Sequence, residues 1–195
     1  MSTPRTSRDM KIVLDAIAQI GGKHSAVAIQ SVLSETSKFA REQSVSRISS
    51  QVALSRSYVA RHLRVFPPIQ KGKSWEAGVQ ATKRGVLLSR FENRGIRVPK
   101  KHPGRGKGST KHGGIRGKVK PGSSYAAAGF FYVPGLRGSG ALGIAVRTGK
   151  GRDNYKVLHG PSVSQVFQTV RHDLSPELKD HMTRVVAGRL LELFE

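Results

Sequence analysis

From Asn93 to Arg152 the chain carries no acidic residue, and in the first part of that stretch basic side chains alternate with glycine. Arg94, Arg97, Lys100, Lys101, Arg105, Lys107, Lys111, Arg116, Lys118 and Lys120 are interleaved with Gly95, Gly104, Gly106, Gly108, Gly113, Gly114, Gly117 and Gly122. A segment of this kind has almost no apolar surface to bury, so it cannot offset the entropy lost on ordering its own backbone. It cannot serve as a core. The fold must be assembled from what precedes and follows it, with 94–122 as a flexible basic arm between. An unstructured insertion of that length is unusual in a compact domain and points to a functional or partner-ordered element.

The arm belongs to a strongly basic chain. Over 195 residues, 34 Lys and Arg oppose 12 Asp and Glu, a formal charge of +22. Self-repulsion on that scale destabilises a compact state unless a polyanion or an acidic partner relieves it, and double-stranded DNA is the first such partner to expect. The length suits one domain, or one domain with long appendages. With no cysteine, disulfide scaffolds, thiolate zinc sites, iron–sulfur clusters and cysteine nucleophiles are excluded; the absence fits folding in a reducing cytoplasm. No apolar run reaches transmembrane length, and polar Met1–Arg8 lacks the apolar stretch of a signal peptide.

Apolar spacing divides the rest. Met10, Val13, Leu14, Ile17, Ile20, Ile29, Val32, Leu33, Phe39 and Ala40 recur at helical intervals, with a bend or break expected at Gly21-Gly22. A second helical stretch runs from Val45 to Leu63, where Ser55 is a candidate N-cap. Pro67-Pro68 ends the helical half. Candidate strands follow at Trp75–Val79, Gly85–Phe91, Phe130–Val133, Ala141–Val146 and Asn154–Leu158, separated by glycine-rich turns, for a sheet of about four or five strands. Ser162 and Gln165 form a capping box. Ser175 and Pro176 read as the N-cap and first residue of a second C-terminal helix. The expected organisation is a flexible tail over 1–8, a helical region over 9–66, a β-rich region over 67–160 with the arm 94–122, and helices over 161–195. The fold class is α+β: long N-terminal helices, a small antiparallel or mixed sheet with a long basic glycine-rich insertion, and a C-terminal helical pair.

Candidate chemistry is sparse. The run from Gly104 to Gly114 resembles a phosphate loop only superficially, because Lys107 is followed by Gly108 rather than by Ser or Thr. The seven histidines fit no ligand pattern. A two-metal nuclease needs clustered carboxylates, and the basic half offers only Asp153, with Glu92 and Asp173 at its borders. There is no serine-hydrolase elbow. No catalytic, cofactor-binding or metal site is expected, and the protein is expected not to be an enzyme. Tyr58 and Val59, with Arg56, Arg61 and Arg64 as a secondary basic face, allow an alternative reading as a helix-turn-helix regulator with its short helix in a major groove.

Several stretches resemble the minor tail protein Z family of tailed bacteriophages, the tail-completion proteins. AVAIQSVLSETS, starting at Ala26, with Gln30 where many relatives have Asn, and VALSRSYVARHLRV, ending at Val65, look like the family's two opening helices. A basic glycine-bearing linker follows from Arg84 to Lys120. The strand–turn–strand unit from Gly129 to Phe167 is similar, above all YKVLHGPSVSQVF at Tyr155–Phe167. PELKDHMTRVVAGRLLELF fits the closing helix. The resemblance spans about Ala26 to Phe194. It implies a structural virion protein, made in the host cytoplasm, that acts at the head-proximal end of the tail. A hexameric ring around the DNA channel is the first expectation. Its partners would be further copies, the tail terminator or tail tube protein, head–tail connector proteins and packaged double-stranded DNA, with no membrane and no cofactor.

Overall fold

The computed structural model describes residues 23–72, 74–91, 115–122, 125–127, 130–136, 140–151 and 153–194. The expected tail over 1–8, the apolar positions Met10 to Ile20 and the break at Gly21-Gly22 lie outside the described residues. What is described is mixed α and β, with every strand pair antiparallel. The chain divides into two compact units: 1–46 with 60–81 and 167–195, and 47–59 with 82–166.

The first unit is built on two long helices, α1 (Lys23–Gln51) and α3 (Val163–Phe194), each of which runs on into the second unit. Ala28, Ile29 and Val32 of α1 form a core cluster with Met182 and Val186 of α3, and Leu33, Val185 and Trp75 pack against it. These positions recur at three and four residues, so one stripe of each helix is removed from water. Thr36 and Ser44 return their hydroxyls to the carbonyls of Val32 and Ala40 at 2.8 and 2.6 Å. Ser44 is buried, and this local bond satisfies its oxygen without a distant partner.

After α1 the short helix α2 (Arg56–His62) begins as its cap predicts, with the Tyr58 amide donating to Ser55 Oγ at 3.3 Å. Its end is closed from α1. Arg41 donates from Nη2 to the Ala60 carbonyl at 2.7 Å and from Nε to the Leu63 carbonyl at 3.0 Å. A helix terminus leaves carbonyls without intrahelical donors, and a guanidinium fork suits two of them at once.

Here the helical expectation over 9–66 needs correction. Strand β1 (Leu63–Lys71) starts at Leu63 and runs straight through Pro67-Pro68. It pairs with β2 (Ser74–Ala81) from Leu63↔Ala81 to Lys71↔Ser74, and its register shifts between Phe66 and Ile69. The prolines occupy that irregularity, where no ladder bond asks for the amides they lack. They bias the preceding residue toward extended backbone, which suits the strand they lie in, and the helix ends before them, at His62.

The C-terminal helical pair also needs correction, because α3 is one helix with Pro176 inside it. The proline removes an amide that would donate to the His172 carbonyl, and its ring crowds that carbonyl, at a cost of about 3 kcal/mol. The apolar row does not change register across it. Val170, Leu174, Met182 and Val186 are buried at multiples of four, with Leu178 half-buried between. Burying each such side chain contributes roughly 1.5–3 kcal/mol, so the continuous row outweighs the lost bond. At the start of α3 the capping box forms as the sequence predicts, with the Ser162 amide donating to Gln165 Oε1 at 2.8 Å and the Gln165 amide to Ser162 Oγ at 3.1 Å.

The second unit holds short elements: β3 (Val86–Leu87), a 3-10 turn at Leu88–Phe91, β4 (Ile115–Gly117), β5 (Tyr125–Ala127), β6 (Phe130–Val133), β7 (Gly143–Arg147), β8 (Tyr155–Val157) and β9 (His159–Gly160). They pair as β3–β9, β4–β5 and a three-stranded β6–β7–β8. The expected strand over Gly85–Phe91 thus shortens to two residues and a turn. The end of the expected arm is also part of the fold, because Ile115 is buried.

Two substitutions test this architecture. Arg41→Ala should lower unfolding free energy in urea by about 1.5–3 kcal/mol, and Arg41→Lys should recover less than half, since one ammonium cannot reproduce the fork. Pro176→Ala should raise stability by about 1 kcal/mol or more; a loss would mean that Ser175-Pro176 opens a separate helix.

Candidate contact surface

The basic arm leaves the described residues at Phe91 and returns at Ile115, and both points are held. The Leu88–Phe91 turn touches β3, β4, β7 and β9. Phe91 is 1% exposed. Its ring lies against Gly160, where an added Cβ would stand 2.5 Å from Cε2. The Lys118 amide donates to the Phe91 carbonyl at 2.8 Å, and the Ala53 amide to the Val119 carbonyl at 2.9 Å. Ser89 Oγ donates to the Leu142 carbonyl at 2.6 Å, and the Leu88 amide to the Leu158 carbonyl at 3.0 Å. The mouth of the insertion is therefore tied to several strands at once.

Of the predicted contact residues, Arg94, Arg97, Lys100, Lys101, Arg105, Lys107 and Lys111 lie outside the described residues. Arg116 falls in β4, Lys118 is half-buried just after it, and Lys120 is exposed before the turn at Pro121 and Gly122. These three sit next to the anchored mouth.

The secondary basic face is less coherent. Arg56, Arg61 and Arg64 are all exposed. Arg56 and Arg61 are five residues apart on α2, so they point about 140° away from each other around its axis, and Arg64 belongs to β1. Tyr58 and Val59, which a groove-reading helix would share with its core, are half-buried and buried. The guanidinium of Arg90 lies 5.8 Å from the centre of the Tyr58 ring.

A further group is assembled by the sheet register. On β6–β7–β8, the pairings Phe131↔Ala145↔Val157 and Arg147↔Tyr155 put Phe131, Arg147 and Tyr155 on one sheet face. The Arg147 guanidinium carbon stands 4.8 Å from the Phe131 ring centre. Tyr155 meets the same ring edge-on, with 5.8 Å between centroids. Arg147 Nη1 donates to the Gly151 carbonyl at 2.9 Å. The available signal was an arginine ending one strand and a tyrosine opening the next across a glycine turn. Only the register shows that they are opposite each other.

Among the described residues no group of three His, Asp or Glu side chains is placed to hold a metal ion, and no helix is long and apolar enough to cross a membrane. His172 and His181 are nine residues apart on α3, on opposite sides of the helix. His181 instead stacks on Phe39 at 3.9 Å between centroids and 11° between planes. The sequence is matched by no family model and by no curated protein, and the fold by no solved structure.

The anchored mouth depends on the close approach of Phe91 and Gly160. Gly160→Ala forces the buried ring to shift and should cost about 1–3 kcal/mol, measured by thermal or urea unfolding. A neutral result would show that the ring has room to move.

Proposed function

We propose that the chain is a structural subunit of a phage virion. In this reading it is a tail-completion or neck protein that assembles as a ring at the head-proximal end of the tail and joins tail to head around the DNA channel. It is not an enzyme in this reading; it takes no cofactor and works by contact. What supports it most is one combination. The segment 93–114 carries no acidic residue in a chain of charge +22, and the chain on its two sides is tied together by the Lys118 amide on the Phe91 carbonyl. Lysines and arginines spaced by glycine grip phosphate oxygens without regard to base sequence, as a subunit handling any packaged genome must. A closed ring would repeat that charge around its lumen and steer a polyanion through it. The resemblance of Ala26–Phe194 to the minor tail protein Z family supplies the place in the virion. The partners in this reading are further copies in a hexamer, the tail terminator or tail tube protein, and the head–tail connector.

Two measurements test it. In electron cryo-microscopy of particles assembled with a labelled copy, a ring at the head–tail junction is the expected outcome. Absence of the label from every particle overturns the reading and favours a free DNA-binding regulator. In solution, affinity for duplexes of unrelated sequence should be equal and should fall steeply with salt. Replacing Lys100, Lys101, Arg105, Lys107 and Lys111 by Ser should reduce the log–log salt slope by about 0.9 for each phosphate that is no longer neutralised. A strong preference for one duplex sequence would support the regulator instead.

A further inference from the structure

We propose that the face of β6–β7–β8 formed by Phe131, Arg147 and Tyr155 is a binding platform for single-stranded nucleic acid, separate from the basic arm. Tyr155 opens β8, which pairs only with β7 among the described residues, and the residue is 37% exposed. Its ring and that of Phe131 meet in a T-shaped contact with 5.8 Å between centroids, which restricts how the exposed tyrosine ring can turn. Opposite it in the register is Arg147. This side chain is exposed and held from two directions, by the Phe131 ring beneath its guanidinium at 4.8 Å and by the Gly151 carbonyl on Nη1 at 2.9 Å. The turn between them is itself held, with the Thr148 amide on the Asn154 carbonyl at 3.1 Å. Lys150 is exposed within it, beside one acid, Asp153.

Each part fits one chemistry. An oriented aromatic ring stacks on an unpaired base whatever its identity, because every base has a π-face. A planar guanidinium fixed beside that ring reaches the adjoining phosphate and also stacks on bases. Lys150, in the adjoining turn, adds a phosphate contact on the same strand. Bases in an intact duplex are already stacked and would leave Tyr155 unused, so a single strand is the better occupant. An acidic peptide would use the cations and not the ring. The proposal stands on this sheet alone and does not depend on the virion reading.

The test uses the full-length protein and fluorescein-labelled oligothymidylate and oligouridylate of about ten nucleotides, beside a duplex of equal length. Tyr155→Ala should weaken single-strand binding roughly tenfold and leave duplex binding unchanged. Tyr155→Phe should keep the affinity. Arg147→Lys should weaken it despite retaining the charge. Since Tyr155→Ala could disturb the sheet, ultraviolet crosslinking of the unmodified protein provides a second reading, with adducts expected on Tyr155 or Phe131. If either strand binds in a Tyr155-dependent way, the platform is supported, and the tighter sugar identifies the source. Equal loss on duplex and single strand, no loss on either, competition by polyglutamate that is insensitive to Tyr155→Ala, or crosslinks confined to other segments would overturn it. The virion reading fails on a different observation, the absence of the chain from particles.

Discussion

The ring of Phe91 lies on the bare backbone of Gly160, and much of the second unit is arranged around that contact. Its strands are two to five residues long, too short to persist alone in water. What holds them is burial. A fully buried phenylalanine contributes roughly 1.5–3 kcal/mol, and the turn that carries Phe91 also sends its backbone and side-chain groups to Leu142, Leu158 and Lys118. Strands β3 and β9 meet where Val86 pairs with Gly160, beside the same ring. A glycine at 160 is needed because the neighbouring chain comes too close for a side chain, not because of an unusual backbone angle.

The same constraint explains how such a fold carries a long basic insertion. Extending a loop costs little once its ends are fixed, because closure entropy grows only with the logarithm of length. The cost falls on the closure itself, which here is made by buried Phe91 and Ile115 and the Lys118 amide.

How much of this was legible in the sequence follows from the range of each interaction. The Ser162–Gln165 box and the Ser55 cap span three residues and were readable directly. Strands β6, β7 and β8 emerged within a residue or two of their expected bounds, because β-branched and aromatic residues between glycine turns leave few alternatives. The errors lie where distant partners decide. Pro176 looked like a helix start because its local chemistry is that of one, and only the unbroken row from Val170 to Val186 shows otherwise. Leu63–Phe66 continued a helical pattern until Arg41, far away in sequence, closed α2 at Ala60. That Arg147 and Tyr155 are neighbours on one sheet face follows only from the register of β7 and β8. His181 fits no pattern in the sequence, and only the packing of α1 on α3 supplies Phe39 to stack on it.

Strands β1 and β2 pair only with each other among the described residues, and Phe66 and Ile69 remain 38% and 48% exposed. An apolar ribbon with open edges is a template for unwanted strand addition. Pro67-Pro68, lying between those two side chains, withholds two amides in succession from any incoming strand, and the register shift there twists the edge away from a flat ladder. The dipeptide that punctuates the sequence therefore also guards the folded chain, which lets it keep oily side chains in water without seeding cross-β aggregates.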